Sequence, residues 1–388
     1  MKANSLDRRK FVTLFGAGSL ALAANPLSVI SAPIEPAPDK PATNIADASK
    51  TPRHEFSMPG RYPGKVVQVK NGKAVVNGTP VEEEAYTMIK RAMLELTGQK
   101  NLKKAWRKFV QPGETIGLKV NPVAGALLST SHAVTKSIVK QLLESGIKKE
   151  SIVIWDRRAM DLKDVGYTTE NYPGIKISGT EMQDEQGAFY DSEGKLYGEN
   201  NIDREWYYWA DVEGEYDSET IPYMVNGGKY SYFTKIVTRD LDKIINIPIL
   251  KNAGNSITNA MKNLAYGAIT NTGRLHAQLW NDTCAEVCAF SPLRDKVVLN
   301  ICDGLRGCFN GGPGANPQFI CDFNVILVSS DPVAMDRIGY DIIAEKRIAE
   351  GIQKTSTPEL LKFLKMSTDL GLGVSDKELI ELKVIDLA

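Results

Sequence analysis

The stretch from Gly113 to Arg158 constrains the fold most. "GETIGLKVNP" reads as a short apolar strand that stops at Asn121-Pro122. "STSHAVTKSIVKQLLESGI" follows, with Ser and Thr caps, apolar residues at helical spacing and a stop at Gly146. "ESIVIWDRR" is a second buried strand running into Asp156. Strand, capped helix and strand at this spacing make a βαβ unit, which implies a largely parallel sheet with a right-handed crossover. The expected fold class is α/β, a mainly parallel sheet with flanking helices.

The same texture recurs along the chain. "GKVVQVKNGKAVVNGTPV" alternates apolar and polar residues around Asn71-Gly72 and predicts a hairpin there. "VEEEAYTMIKRAMLELTG" has acids early, helical spacing and a closing Gly98. "DKIINIPIL", "DKVVLNICDGL" and "FNVILVSSD" read as buried strands, and "DPVAMDRIGYDIIAEKR" as a helix. Between them, residues 166–240 are acidic, Gly-rich and aromatic, and are expected to form an inserted β-rich subdomain or lid.

With 388 residues the chain can bury a large core. Lys+Arg and Asp+Glu are both 47 and no basic face stands out, which argues against nucleic acid as the main partner. At the N-terminus, Arg8-Arg9, Phe11 and a modest apolar run to Ala24 have the shape of a twin-arginine export signal, with small residues for cleavage after Ala23 or Ala32. The run is too short and Gly/Ala-rich for a good membrane anchor. Residues 1–32 are therefore expected to be an export signal read by the twin-arginine machinery. Residues 33–60 would be a flexible leader and 61–388 the α/β domain, in a bacterial, periplasmic or extracytoplasmic protein without a stable membrane span.

Ligands of open α/β sheets collect at the carboxyl ends of strands. Here those ends read Lys119-Val120-Asn121, Asp156-Arg157-Arg158, Lys251-Asn252, Cys302-Asp303-Gly304 and Ser329-Ser330-Asp331. Each alone is a satisfied turn or cap more often than a site. Together they include two lysines, which are costly to bury without an anion or carboxylate. "LKNAGNS" leads into a helix expected to start near Asn255-Ser256, with free N–H groups facing an anion. Asn255, Asn259 and Asn263 would share one helical face, with Thr258 and Lys262 on an adjacent one; a solvated amphipathic helix is the plain alternative. The glycines of "GLRGCFNGGPGANP" fit neither a P-loop nor a dinucleotide fingerprint.

Histidines are three: His54 in the leader, His132 at a helix start, where a structural role is expected, and His276, which with Arg274 could contact a ligand. Cys284, Cys288, Cys302, Cys308 and Cys321 all fall in the last third. Disulfides or buried thiols are the plain reading. A metal or iron–sulfur centre on Cys302, Cys308 and Cys321 is the sharper one, although the spacings match neither a zinc ribbon nor a ferredoxin run. A carboxylate metal site of Asp156, Asp303 and Asp336 is a further alternative.

Lys119-Val120-Asn121 closing a strand, "LLESGIKKESIVIWD", "IINIPILK" followed by "TNAMKNLAYG", and "ILVSSDPVAMDRIG" together resemble domain-of-unknown-function family 362, in order from about Gly113 to Gly339. Where that family usually carries K-x-H after a strand, this chain has Lys251-Asn252-Ala253 and no histidine. The resemblance implies redox surroundings for some members and no particular reaction. The succession of strand, Pro/Asn loop, helix, "SGI" and strand also resembles the nickel-dependent lactate racemase group, as an analogy of fold.

Three functions follow as expectations, with the cofactor and oligomeric state left open. The first is a protein, or an enzyme, for a small anionic or polyhydroxylated molecule. In it Lys119, Lys251, Lys262 and Arg274 would hold charge, and Asn121, Asn255, Thr258, Asn259 and Asn263 would orient the ligand. Asp156, Asp303 or His276 would move protons. The second is a metal or iron–sulfur protein built on the cysteines. The third is a sugar-binding protein stacking on Trp206-Tyr207-Tyr208-Trp209, for which a hydrophobic plug is the plain alternative.

Overall fold

A computed structural model describes residues 40–214, 221–224, 228–254, 256–352 and 361–387. The first strand, β1 (Lys65–Lys70), is followed by two short strands, β2 (Val75–Val76) and β3 (Thr79–Pro80). The hairpin is β2–β3, turning at Asn77-Gly78, and not a turn of β1 at Asn71-Gly72. Asn77 and Gly78 both take positive φ, 50° and 73°, as a primed turn requires. Asn71 instead donates from its side chain to Glu84 and accepts from Lys73 N, so that Asn-Gly pair serves a loop.

Helix α1 (Glu82–Thr97) ends, as its pattern requires, at Gly98 in the left-handed region, φ 66°. The short α2 (Leu102–Trp106) leads to β4 (Ile116–Lys119), α3 (His132–Glu144) and β5 (Ile152–Arg158). Ser131 caps α3 by accepting from Val134 N. β4 and β5 pair in parallel on either side of that helix in sequence, the expected βαβ unit. Helix α4 (Ala159–Asp164) and β6 (Lys176–Glu181) extend the sheet outward, with β6 parallel to β5.

The insertion thus starts after β6 and not at residue 166. Its two long strands, β7 (Ile202–Trp209) and β8 (Tyr230–Thr234), pair antiparallel as a separate ribbon. The chain then returns as β9 (Lys243–Asn246), β10 (Ile249–Ala253) and β11 (Ser256–Thr258). Helices α5 (Ala260–Ala268), α6 (Leu275–Gln278), α7 (Trp280–Ala289) and α8 (Ser291–Arg294) follow. Two long strands, β12 (Val297–Cys308) and β13 (Ile320–Ser329), precede α9 (Pro332–Ala349), α10 (Lys362–Asp369) and the closing β14 (Glu381–Asp386).

These strands make a ten-stranded sheet in the order β14-β1-β13-β12-β9-β4-β5-β6, with β10 beside β12 and β11 folded back on β10. It is mainly parallel, the α/β class expected. β13 runs antiparallel to both β12 and β1. The chain moves outward from β4 through β5 to β6, then re-enters on the other side of β4 as β9. The topological switch point lies between β4 and β9, where open α/β sheets bind ligands.

Strand alternation sends apolar side chains to both faces. Ile116, Leu118, Ile152 and Ile154 pack with Met88, Ile89, Val134 and Ile138 under α1 and α3. Val153, Trp155 and Ile244 point the other way, to the cluster holding Leu264, Val287 and Met335 of α5, α7 and α9. Among the described residues no helix is long and apolar enough to cross a membrane.

Residues 41–60 depart from the expected flexible leader. Thr43 bridges to Ala210, and Ile45–Lys50 forms a 3-10 helix. Arg294 donates to the carbonyls of Ala48, Thr51 and Pro52, and Arg53 to those of Leu370 and Gly371. The segment lacks apolar periodicity because it is held by backbone contacts of the distant Arg294 and of its own Arg53, and not by a face of its own.

Asp331 ties the second half together. Its carboxylate caps α9 through Val333 N and Ala334 N, at 3.0 and 2.9 Å, and also accepts from Gly64 N and Val374 N. Asp331→Ala is expected to lose about 2–3 kcal/mol in urea unfolding, one cap plus buried N–H groups left without an acceptor. A loss below about 0.5 kcal/mol, the low end for a cap alone, would show that the other ties contribute nothing.

Candidate functional site

Lys119 ends β4 at the switch point and is 1% exposed. All of its donor capacity is used: it pairs with Asp156 of β5 and donates to Val120 O at 2.8 Å and Asn263 Oδ1 at 3.0 Å. Burial pulls its pKa below the ordinary lysine value, and Asp156 works against that pull. Gly267 makes room for the pair: a Cβ there would lie 2.2 Å from Lys119 Cε.

From Lys119 a file of buried amides crosses the sheet. Asn263 Oδ1 also accepts from Asn121 Nδ2 at 3.0 Å, and Asn263 Nδ2 donates to Asn246 Oδ1 at 2.7 Å. Asn246 passes its own N–H to Asn300 Oδ1 at 2.9 Å and to Ala260 O. Asn300 ends the file on the carbonyls of Ser329 and Ser330. The amide orientations are fixed by the lysines, which can only donate: Asn263 and Asn121 must each turn an oxygen to them.

Lys251 of β10 donates to Asn121 Oδ1 at 3.1 Å. It is paired in register with Thr258 of β11, whose buried Oγ1 has no hydrogen-bond partner among the described residues. Four residues on, Lys262 of α5 lies between the rings of Tyr266 and Trp280, at 5.6 and 5.4 Å from their centroids. Among the described residues neither Lys251 nor Lys262 reaches a carboxylate at ion-pair distance, and the Cys284 thiol near Lys262 is kept protonated by burial. Burial, with Lys262 adding repulsion, takes Lys251 down to about 7, and burial takes Lys262 to about 8.

His276 sits beside this pair, its ring 4.4 Å from that of Tyr266. Its Nδ1 faces Thr272 O at 3.0 Å and so carries the proton. Burial and Lys262 lower its pKa to about 3, leaving a neutral ring near neutrality and not the expected proton carrier. Tyr266 OH and Thr283 Oγ1 are further buried hydroxyls, facing one another.

Several expected site residues are used elsewhere. Arg274 clamps the inserted ribbon, donating to the carbonyls of Ala210, Val212 and Lys229 and to Ser231 Oγ. Asp303 lies inside β12 and not at its end, accepting from Ser131 N and Leu305 N. Ser329 to Asp331 close an antiparallel strand, so the chain there leads away from the other strand ends. Helix α5 begins at Ala260, after β11, and its first N–H groups, Ala260 and Met261, already bind Asp336 at 2.6 and 3.0 Å. The expected free helix terminus near Asn255-Ser256 is therefore replaced by strand. Asn255 lies outside the described residues. Asn259 precedes α5, and both its side-chain polar atoms are buried without a hydrogen bond.

Asn252 grips the glycine loop, accepting from Gly312 N at 2.9 Å, and a Cβ on Gly312 would meet Asn252 O at 2.1 Å. That loop is fastened to β10. All five cysteines are free thiols. Cys302 and Cys308 belong to separate apolar clusters and act as small hydrophobes, so the disulfide reading gives way to buried thiols. Among the described residues no three His, Cys, Asp or Glu side chains are grouped to hold a metal, whether Cys302, Cys308 and Cys321 or Asp156, Asp303 and Asp336. Tyr208 is buried on Glu286, and Tyr207 packs on Tyr230 and Tyr232, so these rings serve the insertion's packing as the plug alternative has it.

Fold and site define an α/β protein with a buried lysine–amide cluster at the switch point of its sheet. Residues 208–341 match the family model described as Domain of unknown function (DUF362). The matched segment contains Lys251, Thr258 and Lys262; Lys119, Asn121 and Asp156 precede it. No curated protein matches the chain. Among solved structures, a protein from Thermotoga maritima is similar at 10% identity and a TM-score of 0.37, covering 70% of this chain and 59% of that one. The chain therefore spans less than two thirds of that protein.

Gly267→Ala tests the site's tightest contact. It is expected to displace Lys119 from Asp156 and cost about 3–5 kcal/mol, as for a broken buried ion pair, measured by urea unfolding. A neutral or stabilising effect, as for an unhindered Gly-to-Ala change in a helix, would show that the approach is not required.

Proposed function

We propose that this protein binds a small anionic molecule between Lys251, Thr258 and Lys262, at the carboxyl ends of β4, β5 and β10. The observation that carries this reading is the contrast among three buried lysines. Lys119 has a carboxylate and saturated donors, whereas Lys251 has one amide acceptor and Lys262 two aromatic rings. An anion would supply the charge missing at both. The unpartnered Thr258 hydroxyl offers it a hydrogen bond.

Proton linkage makes the reading testable. Lys251 is lowered to about 7 and Lys262 to about 8, so between those values and the ordinary lysine range the unfolded chain holds protons that the native chain lacks. Ligand-free stability should therefore rise with pH across that window. Anion binding favours the ammonium forms and should weaken over the same window. A panel of inorganic phosphate and small mono- and dicarboxylates is expected to raise Tm most near pH 6.5 and least near pH 9, and Lys262→Met should abolish the shift while keeping the fold. An equal shift in Lys262→Met would assign Lys262 a packing role.

Export is the second part of the proposal and rests on Arg8-Arg9, Phe11 and the short apolar run behind them. Replacing both arginines by lysine should retain the protein in the cytoplasm of a bacterial host. Fractionation that still finds the variant in the periplasm would remove the twin-arginine route.

A further inference from the structure

We propose that Lys251 is a nucleophile that condenses with the ketone of a small 2-oxo acid to form an imine, with Lys262 and Thr258 holding the neighbouring carboxylate. This deepens, and rests on, the anion-binding reading of the same site.

The geometry separates Lys251 from an ordinary buried lysine. Lys119 spends its N–H groups on a carboxylate, a carbonyl and an amide oxygen, which fixes it as a donor. Among the described residues Lys251 Nζ has a single acceptor, Asn121 Oδ1 at 3.1 Å. One N–H is enough for that bond, and the neutral amine keeps a lone pair. Burial and a second lysine are the means by which a lysine is made nucleophilic near neutrality. Asn121 is itself oriented by Asn263, which Lys119 and Asn246 lock, so the direction of Lys251 is set by the whole amide file.

Lys262 then has a different task. Its four-carbon stem brings the charge between two aromatic rings, and it is the larger charge effect on Lys251. A carboxylate bound there would sit within the electrostatic reach that Lys262 already has on the amine, and a 2-oxo acid carries its ketone on the adjoining carbon. Thr258, paired with Lys251 across the β10–β11 ribbon, adds a hydroxyl donor.

The step balances without a co-reactant. The amine lone pair attacks the ketone carbon while the C=O π electrons move to oxygen, giving a carbinolamine. The proton shed by the Lys251 ammonium returns to that oxygen, which leaves as water after taking a second proton from the same nitrogen. Lys251 ammonium plus ketone thus becomes protonated imine plus water, with no oxidation.

Pyruvate and 2-oxoglutarate with borohydride test this on the full chain. Hydride reduces the imine to a stable secondary amine, read by intact mass and peptide mapping. The expected result is an adduct on Lys251, more abundant at pH 8 than at pH 6 and absent with lactate. Lys251→Arg should lose the adduct. A Tm shift with pyruvate but no adduct, or labelling spread over exposed lysines, overturns the nucleophile and leaves the anion site standing. Neither shift nor adduct overturns both.

Discussion

A lysine carried indoors at the end of a strand must meet a carboxylate, and the pairing of Lys119 with Asp156 is the condition on which this site is built. The pair spans two neighbouring parallel strands, so it needs β4 and β5 in register, Lys119 opposite Trp155. It also needs a helix above it with no side chain at the point of contact, which Gly267 provides. Breaking such a pair costs about 3–5 kcal/mol because one charge is left buried. Everything at the switch point is arranged around that requirement: Asn263 takes the last Lys119 donor, and in doing so fixes α5.

The other two buried lysines are a different case. Native folds seldom bury a lysine without a partner, since the charged form loses its hydration. Lys251 and Lys262 stand within one another's field and both titrate near neutrality. Such a pair lowers the stability of the ligand-free chain at neutral and acidic pH, and the proposed anion would offset that loss. Perturbed groups gathered at a strand-end crevice are the pattern expected of a functional site more than of a structural one.

Much of the frame could be read from the sequence because its signals are local. The βαβ unit, the Gly98 stop and the Ser131 cap each depend on a few adjacent residues. What escaped is non-local. "KNG" and "VNG" are equal hairpin signals, and the choice fell to Asn77-Gly78 because β1 is engaged by β13 and β14. Strand direction was equally hidden: a buried apolar run reads the same parallel or antiparallel, so Ser329–Asp331 could not be separated from true carboxyl ends. Arg274 and Asp336 looked like site groups because buried structural ions carry the same residue types; only their partners, backbone groups far along the chain, distinguish them. Asn246 and Asn300 were missed, although a lone Asn inside an apolar strand was the available signal.

Those two asparagines decide how firmly the site is held. A buried amide costs about 1–3 kcal/mol if a partner is lost, so the file from Lys119 to the Ser329 and Ser330 carbonyls is satisfied in one arrangement of β4, β9, β12 and α5. Turning α5 by one residue would move Asn263 by about 100° and open every bond it makes. In the same first turn of the helix, Asp336 holds Ala260 N and Met261 N and prevents the same rotation. Lys262 is therefore carried on a helical turn pinned on either side of it, and Lys251 hangs from an amide pinned by the same file. A pair of lysines fixed so rigidly cannot relax apart to relieve its repulsion, so the cost of charging both stays with the fold.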